Sequence, residues 1–157
     1  MYRFKGLQEM TFNVSDFLSR YQYIIGAIRS LKRLQAQSTD NACRITPNMT
    51  GMPSGGGTGR KVEDSAIEYA DFDAEISKRL RELNKAATEI LSVIESLEPS
   101  LEQLVLRFTY LNGFSFDRVV KETGKSRETV RKALKRGLEL AEPACYEIWK
   151  RQNDRRK

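Results

Sequence analysis

Apolar residues recur along this chain mostly at helical spacing. Ser15-Asp16 can cap a first helix, after which Phe17, Tyr21, Ile24, Ile28 and Leu31 follow in alternating steps of four and three. That alternation makes a coiled-coil seam, which Leu18, Ile25 and Leu34 widen. Gly26 weakens such a helix by about 1 kcal/mol, so the helix needs a packing partner. Its pattern fades near Gln37-Ser38. A second long helix is predicted from about Asp64 to Leu97, where Ile76, Leu80, Leu83, Ala87, Ile90, Ile94 and Leu97 keep the same rhythm. Glu98-Pro99-Ser100 stops it, because proline lacks a backbone donor and restricts the residue before it. Two long amphipathic helices joined by a loop over 38–62 predict an antiparallel helical hairpin, or a coiled coil contributed to a homo-oligomer.

Beyond Pro99 the pattern shortens into three helical segments. Leu101 to Leu111 places Leu104, Val105, Phe108 and Leu111 on one face, and Asn112-Gly113 ends it. Ser115 caps a second segment that buries Phe116, Val119 and Val120, and Gly124 ends it. Ser126 caps the third, which turns Val130, Ala133, Leu134 and Leu138 inward. Two short helices across a tight glycine-containing turn form a helix-turn-helix. Glu142-Pro143 is expected to end the third helix, with Ala144 to Asp154 forming one more. In that last segment Ile148 and Trp149 pack on the module, while Lys150, Arg151, Arg155, Arg156 and Lys157 point to solvent.

Charge sharpens this division. Basic residues number nine against three acidic in 1–62, four against eleven in 63–103, and fourteen against seven in 104–157. A basic C-terminal third beside an acidic middle points to a polyanion at one end. Lys125, Arg127, Arg131, Lys132, Lys135 and Arg136 crowd the third segment. Arg127, Arg131 and Lys135 are spaced i, i+4, i+8 and share one helix face, as cations facing phosphates and base edges in a major groove must. Glu128 complements the helix dipole and can pair with Lys132; equally, it could accept a hydrogen bond from a cytosine amino group. The acidic stretch 63–75 reads best as a solvated face, with RNA polymerase or another basic partner as the alternative.

Several classes fall away. The chain has no histidine, which removes the usual general base at neutral pH and most zinc sites. Cys43 and Cys145 stand far apart in sequence and read as reduced thiols. Gly55-Gly56-Gly57-Thr58-Gly59-Arg60-Lys61 resembles a phosphate loop only superficially: Arg60 separates Gly59 from Lys61, and Val62 stands where Ser or Thr is needed. A flexible connection is the simpler reading of that run. No stretch approaches a membrane span, so a cytoplasmic protein without enzyme activity, cofactor or metal is expected.

The run Leu104-Val105-Leu106-Arg107-Phe108, the Phe116–Val120 helix and Ser126-Arg127-Glu128-Thr129-Val130-Arg131 together resemble region four of primary bacterial sigma factors. That resemblance spans roughly residues 99–141. It implies that Arg127, Glu128 and Arg131 face base edges or nearby phosphates, with Ser126 and Thr129 beside them. The remainder lacks anything like a promoter-melting segment, and the layout is similar to small phage and prophage regulators of the RinA and ArpU type.

The sequence therefore predicts an all-α protein. A helical hairpin or coiled coil in 1–98 precedes a sigma-like helix-turn-helix module in 99–157 that binds DNA by itself. The expected function is sequence-specific regulation of transcription on double-stranded DNA, as a phage late-gene activator. Two alternatives stand beside it: a small terminase-type packaging subunit, which a ring of eight or more subunits in light scattering would favour, and a module that binds RNA polymerase, which absent DNA binding would favour.

Overall fold

The computed structural model describes residues 12–43 and 58–155, with the backbone alone for 41–43, 58–62 and 65. Among these residues there is no strand: the protein is all-α. The elements are α1 (Val14–Cys43), α2 (Thr58–Ser96), α3 (Leu101–Leu106), a π-helical turn (Arg107–Leu111), α4 (Phe116–Thr123) and α5 (Arg127–Asp154). No described helix is long and apolar enough to cross a membrane. The Gly55-Gly56-Gly57 run, the Cys43 side chain, Arg156 and Lys157 lie outside the described residues.

The long helices exceed their predicted bounds. Asn13, not Ser15-Asp16, caps α1: its Oδ1 accepts from the backbone N–H groups of Ser15 (2.8 Å) and Asp16 (3.2 Å). At the other end α1 reaches Cys43, and α2 begins at Thr58, so helix replaces both edges of the expected 38–62 loop. The residues there carry no apolar rhythm, yet no proline stands among them and Gly59 only weakens the helix. Leu80 departs from the predicted seam and lies 41% exposed, while Ala86 and Val93 join Ile76, Ile90 and Ile94 in burial. Leu34 is likewise exposed.

The chain divides into two compact units. One comprises Tyr23–Lys85. Among its described residues Ile28 and Ile76 are buried, Ser38 donates to Glu68 (2.7 Å), and Arg79 bridges Glu75 and Glu82. The other takes in residues up to Gln22 together with Ala86–Lys157, so it begins well before Pro99. Phe17 and Leu18 of α1, Ile90, Val93 and Ile94 of α2, Leu106 and Tyr110, and Ala141 and Cys145 of α5 make one buried cluster. A second cluster joins Val105, Val119, Val130 and Ala133, flanked by Leu101, Phe108, Phe114, Phe116, Val120 and Leu134.

Polar side chains close the helix ends inside this unit. Gln103 Nε2 donates to the carbonyls of Ile94 and Leu97 (3.0 Å each) at the end of α2, where Ile94 O also accepts from Leu97 N–H (3.3 Å). Gln22 Nε2 does the same for Tyr110 (3.2 Å) and Leu111 (2.9 Å). Gly113, at φ +67°, lies against that Gln22 side chain so closely that a Cβ would meet Oε1 at 2.5 Å.

Two expectations need correction here. The segment Leu101–Leu111 is not a regular helix. Its second half is a π turn, closed by Asn112 N–H donating to Arg107 O (3.0 Å), and the wider turn changes which side chains face inward. Upstream of the turn, Leu104 departs from the predicted face and lies 39% exposed, while Val105, Leu106 and Tyr110 are buried. Nor does Glu142-Pro143 end the third helix: α5 runs continuously from Arg127 to Asp154 with Pro143 inside. Pro143 is exposed, so the Glu139 carbonyl it leaves unpaired can take water. Cys145, Ile148 and Trp149 beyond it pack on the first cluster, and that packing offsets the broken hydrogen bond. Phe12 and Trp149 meet at 5.6 Å between ring centroids.

Candidate nucleic-acid interface

The geometry of α4, the turn and α5 follows from two serines and one glycine. Ser115 Oγ accepts from Arg118 N–H (3.4 Å) and opens α4. Gly124, at φ +63°, closes it, donating to Val120 O (3.1 Å) and Lys121 O (3.3 Å). Two residues later Ser126 Oγ accepts from Thr129 N–H (3.2 Å) and opens α5. Val119, Val130 and Ala133 lock the two helices together from within. The result is a rigid two-helix corner whose outer surface belongs to the first turns of α5.

All nine sequence-predicted residues are exposed: Lys125, Ser126, Arg127, Glu128, Thr129, Arg131, Lys132, Lys135 and Arg136. Their individual circumstances differ. Ser126 and Thr129 serve the cap, their hydroxyl oxygens 2.8 Å apart. Glu128 accepts from Arg131 Nη1 (3.1 Å) and pairs with Lys132 Nζ (3.7 Å), the i, i+4 partner expected from sequence. Arg136 Nε approaches Glu102 of α3 at 3.9 Å. Arg127 Nη1 donates to Asp117 of α4, and its guanidinium lies 5.1 Å from the Phe116 ring centroid. Lys125 and Lys135 have no ion pair with any described residue. Exposed pairs of this kind contribute roughly 0–1 kcal/mol to folding, so they orient side chains more than they stabilise.

Sequence reasoning missed six participants. Asp117 and Phe116 hold Arg127, Glu102 faces Arg136, and Arg118 stacks on the Phe114 ring at 3.7 Å while pairing with Glu122 (3.6 Å). Each partnership except Arg118 with Glu122 crosses a turn or an inter-helix contact, which helix periodicity does not encode. Arg118–Glu122 is an i, i+4 pair and was legible.

Away from this corner, Cys145 is buried in the first cluster, and burial pushes its thiol up from 9.0 to about 12 against a smaller lowering by Arg20. No group of three His, Cys, Asp or Glu residues able to hold a metal occurs among the described residues. The family described as a protein of unknown function (DUF1492) matches residues 45–140, a span that includes α3, α4 and the first half of α5. No curated protein and no solved structure matches the chain.

Proposed function

We propose that this chain, which belongs to the DUF1492 family, binds double-stranded DNA sequence-specifically through α5 and regulates transcription. One observation carries the reading: a capped two-helix corner presents Lys125, Arg127, Arg131, Lys132, Lys135 and Arg136 on exposed positions of one helix start. A helix begun by a serine cap and bearing cations over its first turns can enter a major groove with its N-terminal end leading. Arg127 and Arg131 supply forked donors for base edges, whereas Lys125 and Lys135, free of carboxylates among the described residues, suit phosphates.

The finer assignment rests on the resemblance of residues 99–141 to sigma region four and of the layout to RinA and ArpU regulators. It is a phage or prophage activator of late genes acting in the bacterial cytoplasm, with RNA polymerase as a second partner. The family is often found in phage proteins, which favours that setting.

Selection from random duplex DNA, followed by fluorescence anisotropy across a salt series, tests the reading. The expected result is an enriched motif and an affinity that falls steeply with salt, with a slope near −0.9 per phosphate contacted. The absence of an enriched motif, or binding that does not weaken with salt, would overturn it.

A further inference from the structure

Arg127 stands in the first turn of α5, the part of a groove-entering helix that comes nearest to base edges. An exposed arginine left to itself samples many rotamers and meets phosphates as readily as bases. Arg127 is restrained instead. Its Nη1 donates to Asp117 across the turn, and the Phe116 ring supports the guanidinium. Phe116 is itself packed on the Val105–Val119–Val130 cluster, and Asp117 sits in the first turn of a helix fixed by the Ser115 cap. Both partners therefore stand on fixed backbone.

We propose that Asp117 is the specificity-determining positioning residue of this interface, holding Arg127 so that the free edge of its guanidinium meets a guanine in the major groove. The inference rests on the DNA-binding reading above and adds the base class and the residue that aims the reader. A guanidinium carries five N–H donors in a planar fork, and Asp117 engages one nitrogen. The donors on Nε and Nη2 stay available and match the O6 and N7 acceptors of guanine. The same carboxylate repels phosphate oxygens, which discourages the competing non-specific use of Arg127. Phosphate anchoring falls to Lys125 and Lys135, which no described carboxylate engages. With side chains 62% and 76% exposed, the pair adds little to folding, so Asp117 can be changed without losing the domain.

The test uses the full chain and the duplex recovered by selection. Binding is measured to that duplex, to a scrambled one, and to copies in which single guanines are replaced by 7-deazaguanine, which lacks the N7 acceptor. Asp117→Ala is compared with Glu122→Ala, a matched truncation on the same helix at a residue that pairs with Arg118 and not with Arg127. Asp117→Ala should lower the cognate-to-scrambled ratio by about fivefold or more. It should also erase the penalty of one particular 7-deazaguanine. Glu122→Ala should tighten both duplexes alike and leave the ratio as it was. In an Arg127→Ala background, Asp117→Ala should no longer change the ratio. A wild-type protein that discriminates, with Asp117→Ala discriminating equally or Glu122→Ala relaxing it as much, overturns this inference and leaves DNA binding standing. A wild-type protein that prefers no sequence overturns both.

Discussion

At the scale of single residues, position along α5 separates the work of its cations. Arg127 follows the Ser126 cap directly, while Lys135 lies two turns on, where a helix leaving the groove passes the sugar–phosphate backbone. Arg127→Ala should weaken binding to the selected site by ~1–3 kcal/mol and relax preference at one base pair. Lys135→Ala should weaken all duplexes alike and reduce the salt slope by about one unit. Anisotropy on cognate and scrambled duplexes across a salt series reads both effects, with circular dichroism showing that each variant stays folded. Equal weakening of both duplexes by Arg127→Ala would mean that the first turn reads no base. Cys145 gives a second prediction, on stability. Burial raises its folded pKa from 9.0 to about 12, so the folded state holds the thiol proton more tightly than the unfolded chain does. The stability linked to this group is fully present below pH 9 and falls as pH rises toward 12. The gap in urea midpoint between wild type and Cys145→Ala should therefore shrink above pH 9. A gap that stays constant there would mean the thiol is not buried as described.

At the scale of elements, the helix signals that lie in one residue and its immediate neighbours were the legible ones. Ser115, Gly124 and Ser126 act through their own side chains or backbone, and each caps or ends the helix predicted from sequence. Signals that depend on tertiary packing were not legible. The π turn at Arg107–Leu111 resembles continued α-helix in sequence, and only the hydrogen bond from Asn112 N–H to Arg107 O reveals it. Pro143 misled in the opposite sense. It is a strong local stop, yet α5 continues because Cys145, Ile148 and Trp149 gain contacts on the first cluster by staying helical. An exposed proline within a helix should still cost stability. Pro143→Ala restores a donor for the Glu139 carbonyl, worth up to ~3 kcal/mol, less ~0.4–1 kcal/mol for the looser unfolded chain. The expected outcome is a net gain of about 1–2 kcal/mol, read as a higher melting temperature with DNA binding unchanged. A lower melting temperature would show that Pro143 sets a bend the packing requires.

At the scale of the whole molecule, the charge profile and the Pro99 break both suggest a C-terminal module that stands alone, and the packing points the other way. The compact unit that carries α4 and α5 is discontinuous in sequence, combining residues up to Gln22 with Ala86–Lys157. A stretch-by-stretch reading favours contiguous domains, because it sees charge and breakers but not which distant helices share a core. Phe17 and Leu18 from α1, with Ile90, Val93 and Ile94 from α2, are all buried in the cluster that also holds Leu106, Tyr110, Ala141 and Cys145. Polar ties reinforce it: Arg20 pairs with Glu89 at 2.5 Å, Gln152 donates to the same carboxylate, and Ser15 and Tyr110 hydroxyls lie 3.1 Å apart. A fragment of 99–157 loses all five apolar side chains at once and leaves α5 with an uncovered face. Truncating one such side chain typically costs 2–5 kcal/mol, and a domain of this size has only about 5–15 kcal/mol in total. The fragment should therefore show reduced helicity and no cooperative melting. Its DNA binding should be far weaker than that of the full chain, with the remaining affinity insensitive to sequence because an unfolded basic segment keeps only its charge. Phe17→Ala in the full chain provides a gentler form of the same test. It should lower the melting temperature and, well below the new midpoint, leave the cognate-to-scrambled ratio at the wild-type value. A 99–157 fragment that melts cooperatively and discriminates between duplexes as the full chain does would show that the Val105–Val119–Val130 cluster suffices to hold the reading helix.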